Sequence, residues 1–137
     1  IKLRNDHCEE EEKYIDENLY LLKKADFLVL SSSWYDKTDT FIEDIILYMR
    51  KKTSAKIIVV LRGQDFPTID LLLQRIDSKD LSRFNEIAYE SRYESSIEFN
   101  KRFKKKLDKL GVEYINKASL VCSDLEKKCT ILSERKV

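Results

Sequence analysis

Two short apolar runs with no polar interruption, Phe27 to Leu30 and Ile57 to Leu61, constrain this chain more than any other feature. Each is too short for a buried helix and fits a strand buried on both faces, the kind found in parallel sheets. The second run is rich in β-branched residues, and Gly63 and Pro67 punctuate its exit. Parallel neighbours need a crossover of about a dozen residues or more between them. The segment from Thr38 to Lys52 supplies one. Phe41, Ile42, Ile45, Ile46 and Met49 make an apolar stripe at helical spacing, with Thr38 or Asp39 placed to cap it.

The alternation continues on both sides. Glu9 to Lys24 predicts a helix from the spacing of Ile15, Leu19 and Leu22, with acidic residues in its first turn and Lys23 and Lys24 in its last. Thr68 to Ile76 and Ser78 to Ala88 read as short helices. Tyr93 to Leu110 puts Phe99, Phe103, Leu107 and Leu110 on one face and stops at Gly111, where a helix takes a left-handed residue. Val112 to Ile115 follows as a third strand, and Thr130 to Leu132 as a short last one. Strands joined by helix-length, right-handed crossovers predict a three-layer α/β/α sandwich on a parallel sheet. Ligands in such sheets sit at the carboxyl ends of the strands.

Composition narrows the function classes. A length of 137 residues suits a single domain. The 42% hydrophobic content is enough for a core and separates the chain from disordered sequences, while two Gly and one Pro are too few for the turns of an all-β fold. With 26 basic and 25 acidic residues the formal charge is +1, so no bulk field draws the chain to nucleic acid or an acidic membrane. No apolar run approaches the roughly 20 residues of a membrane helix. The chain starts at Ile1 and shows no basic-then-apolar leader, which predicts a processed start or an excerpt of something longer.

Few residues offer chemistry. Ser31-Ser32-Ser33-Trp34-Tyr35 directly follows the first strand, so its hydroxyls and amides face the ligand crevice, although a lone Trp there is equally a lid over the core. No Gly flanks the serines, so the strained turn that activates a nucleophilic Ser is missing. His7 is the single histidine; beside Asp6 and Cys8 it reads as part of a polar segment, since three consecutive residues do not converge on one metal ion. Cys122 and Cys129 are too far apart for a redox Cys-x-x-Cys pair and have no second pair for zinc. A structural disulfide fits them best, with two free thiols as the alternative. Closing so short a loop contributes about 2.5 kcal/mol on the loop-entropy account and implies an oxidising compartment. Lys101 to Lys109 is basic, but Phe103 and Leu107 belong to the core stripe, so this is a solvated helix face rather than a nucleic-acid platform. Gly63 and Gly111 stand alone, which removes glycine-rich phosphate loops.

Read in order, Ala25-Asp26-Phe27 through Trp34-Tyr35, the strand Lys56 to Leu61, Asn100-Lys101-Arg102-Phe103, Gly111-Val112-Glu113-Tyr114-Ile115, and Leu120-Val121-Cys122 with Cys129 resemble the SGNH-type domain at the C-terminus of acyltransferase-3 family membrane acyltransferases. The resemblance runs from about Lys24 to Cys129. It implies a flavodoxin-like hydrolase fold, Ser-His-Asp acyl transfer without metal or organic cofactor, and a bacterial envelope polysaccharide as acceptor of an acyl group. It also implies an extracytoplasmic location, with the membrane reached only through a parent membrane domain.

The family's Gly-Asp-Ser and Asp-x-x-His blocks are not in this sequence, so no residue here is assigned a catalytic role and no metal ligand is expected. The chain is expected to be the middle of such a domain, covering residues 1–137, with the edge of the Phe27 strand left open where the nucleophile strand would pair. An open edge also allows self-association, and a non-catalytic α/β interaction module is the competing expectation. Carried over by position are Ser32, Ser33 and Trp34 as pocket wall and Cys122 with Cys129 as paired cysteines. The wider superfamily often has an Asn oxyanion donor beside this wall; it is missing here, which leaves backbone amides for that task. Asn100 matches a recurrent helix Asn of structural character.

Overall fold

A computed structural model describes residues 13–14, 17–35, 37–76 and 81–131. The fold is mixed α/β. Helix α1 (Leu19–Lys24) leads into strand β1 (Phe27–Leu30), helix α2 (Thr38–Lys52) and strand β2 (Lys56–Val60). Two short helices, α3 (Ile69–Leu73) and α4 (Phe84–Glu90), precede the long helix α5 (Glu94–Leu110) and strand β3 (Glu113–Ile115). The chain then forms a hairpin of β4 (Cys122–Ser123) and β5 (Lys128–Cys129).

Strands β1, β2 and β3 form a parallel sheet in that order. Phe27 lies opposite Lys56, Leu30 opposite Val59, Ile58 opposite Glu113 and Val60 opposite Ile115. One face of the sheet is covered. Ile57, Val59 and Leu61 are buried against Ile42 and Ile46 of α2 and against Phe99, Phe103 and Leu107 of α5, with Leu28, Leu30 and Tyr114 at the margin. Both helices expose their charged sides and bury periodic apolar positions, so the 3.6-residue pattern turns directly into packing. Gly111 closes α5 at φ 61°, ψ 41°, and no atom lies within 4 Å of where its Cβ would be, so the left-handed backbone rather than space calls for glycine.

The other face corrects the expectation of strands buried on both sides. Phe27 is 58% exposed and Val29 54%, Ile115 is exposed on β3 at the far side of β2, and Ile58 and Val60 are half-buried. Among the described residues, helices cover one face of the sheet and the other is open. β1 is an edge strand. Its alternating exposure, rather than continuous burial, follows from having a helical layer on one side only.

Several boundaries also differ from the sequence pattern. The predicted Glu9–Lys24 helix is described only in part, and Ile15 lies outside the described residues. Neither Thr38 nor Asp39 caps α2: Lys37 holds the cap position, and the Thr38 hydroxyl instead accepts from the Tyr35 N–H at 3.0 Å while Thr38 N–H donates back to the Tyr35 carbonyl at 2.8 Å. Asp39 faces Arg102 at 3.7 Å and Lys106 at 3.9 Å, tying the start of α2 to α5. Phe41, placed in the apolar stripe, is exposed. The last strand is Lys128–Cys129 rather than Thr130 to Leu132, because the residues between Cys122 and Cys129 turn back and pair the two cysteines across the hairpin. Thr130 and Ile131 are not strand, and Leu132 lies outside the described residues.

A second cluster gathers Leu72, Phe84, Ala88, Cys122 and Cys129. The two cysteines are bonded, with sulfurs 2.06 Å apart. The turn between them places Lys127 at φ 56°. The Asp124 carboxylate accepts from the Tyr89 hydroxyl at 2.7 Å and from Arg92 at 3.1 Å, pinning the turn to α4 and its exit.

Candidate functional site: a cleft at the carboxyl ends of the strands

Parallel strands end on a common edge, and the loops leaving β1, β2 and β3 meet there. A cleft of about 290 Å³ opens among them, lined by Ser32, Ser33, Trp34, Tyr35, Arg62, Gly63, Asp65 and Lys117. Ser32, Ser33 and Trp34 follow β1, Arg62 to Asp65 follow β2, and Lys117 stands just after β3.

Trp34 anchors the first of these loops. It is 6% exposed, its ring centroid lies 5.2 Å from that of Phe103, and its indole N–H donates to the Val60 carbonyl at 2.5 Å. It touches the cleft but belongs to the core, as the lid reading of a lone Trp anticipates. With Trp34 fixed below and Tyr35 held by its two bonds to Thr38, the serines between β1 and Trp34 are held at the surface from both sides. Among the described residues neither the Ser32 nor the Ser33 hydroxyl has a partner. The Tyr35 ring is 73% exposed.

The second loop is tethered to the start of α5. The buried Ser96 hydroxyl donates to the Tyr93 carbonyl at 2.8 Å and accepts from the Gln64 amide at 2.7 Å. Tyr93 N–H donates to the Asp65 carbonyl at 3.1 Å, and the Asn100 amide donates to the Arg62 carbonyl at 2.8 Å. Asn100 is thus a bracket for the loop, consistent with its structural character. Arg62 is paired with the Asp65 carboxylate at 2.5 Å. Across the loop, Lys117 lays its side chain along Gly63: a Cβ added there would sit 3.4 Å from Lys117 Cε.

Chemically, the cleft offers two hydroxyls, an exposed aromatic ring, an ammonium and a neutralised guanidinium–carboxylate pair. It does not assemble a nucleophile, base and orienting acid, because the described residues contain no histidine; His7, Asp6 and Cys8 lie outside them. Nor do the described residues hold a group of three His, Cys, Asp or Glu able to bind a metal. No helix among them is long and apolar enough to cross a membrane. A smaller recess of about 180 Å³ lies on the other side of the β2 loop, between Leu61, Ile97, Asn100 and Asn116.

Sequence reasoning reached the β1 side of this cleft and missed Arg62, Gly63, Asp65 and Lys117. The signal was available, since the rule that directs attention to the residues after one parallel strand applies equally to the residues after its neighbours. Comparison with protein-family models, with curated proteins and with solved structures finds no match for the chain.

Proposed function

We propose that this chain forms the cleft-bearing part of an SGNH-like acyl-transfer or esterase domain that modifies a bacterial envelope polysaccharide, the Ser-His-Asp apparatus being supplied outside the described residues. The observation that carries this reading is the cleft at the carboxyl ends of β1 and β2, with Ser32 and Ser33 on its wall and the β1 edge open beside it. In the resembling family the nucleophile strand pairs along that edge, which would bring its Ser to the mouth of this cleft. A second helical layer on the open sheet face would complete the three-layer sandwich. The bonded Cys122 and Cys129 support an extracytoplasmic location. The acyl donor and the glycan are the partners, no metal or organic cofactor takes part, and the membrane is reached through the parent protein.

The test is fluorophosphonate labelling, which marks activated serines, of the protein expressed from its whole reading frame. The expected result is one labelled serine outside residues 1–137 and no p-nitrophenyl acetate hydrolysis by residues 1–137 alone above a heat-treated control. Absence of labelling in the whole protein would contradict the proposal, as would turnover by residues 1–137 that disappears in His7→Ala.

A second reading has its own observation. The open sheet face carries Phe27, Val29 and Ile115 at the surface, which suits a non-catalytic module that associates through this face and the β1 edge. Sedimentation at rising concentration tests it, with Val29→Asp on the open face as the probe. A dimer lost in Val29→Asp favours the module; a monomer at high concentration counts against it.

A further inference from the structure

We propose that the cleft is a binding site for a monoanionic, hydroxylated ligand of the sugar-acid type, with Lys117 as the residue that selects for its carboxylate. The inference rests on reading this cleft as the ligand site and adds the charge of what it takes.

Most of the charge in the cleft is already committed. Arg62 is engaged by Asp65 and has a further interaction besides, so its guanidinium is not offered to a ligand. Among the described residues Lys117 has no carboxylate partner. It is nevertheless not a loose surface lysine. It sits two residues after the end of β3, at the start of the Lys117–Leu120 turn of 3-10 helix, and its stem runs past Gly63, where a Cβ would lie 3.4 Å from Cε, so that it reaches the cleft wall.

One uncommitted ammonium matches one negative charge. A doubly charged phosphate calls for a second positive partner or a nest of backbone amides, whereas a single ammonium balances a single carboxylate. The arginine of this cleft is occupied and the chain has no glycine-rich loop, so a carboxylate fits better than a phosphate. The remaining wall suits hydroxyls. Ser32 and Ser33 each present an unpartnered donor and acceptor, and the Tyr35 ring stands exposed beside them on a backbone fixed by Thr38. The wall is mainly polar with the Tyr35 ring as its apolar part, and a sugar ring offers a rim of hydroxyls with an apolar C–H face.

The experiment is an amide NMR titration of this chain with glucuronate, glucose and inorganic phosphate, repeated with Lys117→Gln. Lys117 is exposed and outside both hydrophobic clusters, so the variant is expected to keep the wild-type spectrum away from the cleft. Glucuronate is expected to shift the amides of Ser32, Ser33, Gly63 and Lys117, with glucose about tenfold weaker. Lys117→Gln should weaken glucuronate by about tenfold and leave glucose unchanged, the loss typical of a charge-assisted hydrogen bond. Equal responses to glucose and glucuronate, or glucuronate binding that survives Lys117→Gln, would overturn the assignment. Tighter binding of phosphate at the same amides would also overturn it. Glucuronate binding without fluorophosphonate labelling of the whole protein would end the acyl-transfer reading and keep this site; labelling without glucuronate binding would do the reverse.

Discussion

The cluster under the sheet and the cluster around the hairpin differ in what brings their residues together. Under the sheet, Ile42, Ile46, Val59, Phe99, Phe103 and Leu107 are each completely buried and arrive on regular elements, every third or fourth residue on a helix and every second on a strand. Around the hairpin, Leu72, Phe84 and Ala88 come from short helices, and a covalent bond between Cys122 and Cys129 finishes the job. The first is stabilised by burial of large side chains; the second, with little regular structure, depends on a cross-link that limits the unfolded chain. The cleft lies on loops leaving the first cluster, so its geometry inherits the stiffness of the sheet rather than that of the hairpin.

Substitutions should separate the two. The largest effect is expected for Phe103→Ala, which removes a ring packed between Trp34 and Phe99 and should cost about 3–5 kcal/mol in chemical denaturation. Next comes the double change Cys122→Ser with Cys129→Ser, expected to cost about 2.5 kcal/mol. Adding reductant to the wild type should reproduce that loss and leave the double variant unchanged. If reduction instead cost as much as Phe103→Ala, the two clusters would be one cooperative unit with the cross-link at its centre.

Trp34→Phe is expected to cost about 1 kcal/mol, because it keeps most of the ring but leaves the Val60 carbonyl without its donor. The open face gives a sharper comparison. Val29→Asp should change stability by no more than about 0.5 kcal/mol, as at any exposed site. A loss of about 2 kcal/mol or more would mean that this face is covered in solution.

The smallest effect belongs to Asp124. Hydrogen bonding from Tyr89, reinforced by Arg92 and partly offset by desolvation, lowers its pKa below the ordinary carboxylate range. A lowered folded value means that its contribution is complete above the unfolded value of about 3.9 and fades as the pH falls through the folded one. The side chain is 80% exposed, so solvent screens most of this contribution. Denaturation at pH 7 and pH 3 should show Asp124→Asn slightly destabilised at the higher pH, with the gap to wild type narrower at the lower.

How much of this was legible in the sequence follows the same division. The α2 and α5 helices, the three strands and the Gly111 stop could all be read, because each is encoded in periodicity or in a residue with special backbone freedom. The Cys122–Cys129 bond could be read as the best fit from spacing alone. What escaped depended on neighbours distant in sequence. Continuous apolar character at Phe27 to Leu30 signals a strand but not whether both its faces are covered, since that depends on which layers are present. Thr38 is a good cap by residue type, yet the backbone of Tyr35 competes for its hydroxyl and wins. On the cleft, Ser32 and Ser33 were found by adjacency to a strand, whereas Lys117 lies 85 and 84 residues away from them and reaches the cleft only because β3 pairs beside β2.

The most direct test of the central claim is the coding sequence on both sides of this chain. The account predicts a Gly-Asp-Ser block upstream of Ile1, an Asp-x-x-His block downstream of Val137, and membrane-spanning segments ahead of both. A start codon near Ile1 and a stop after Val137 would contradict it, leaving a chain whose cleft and open sheet face serve binding without acyl transfer.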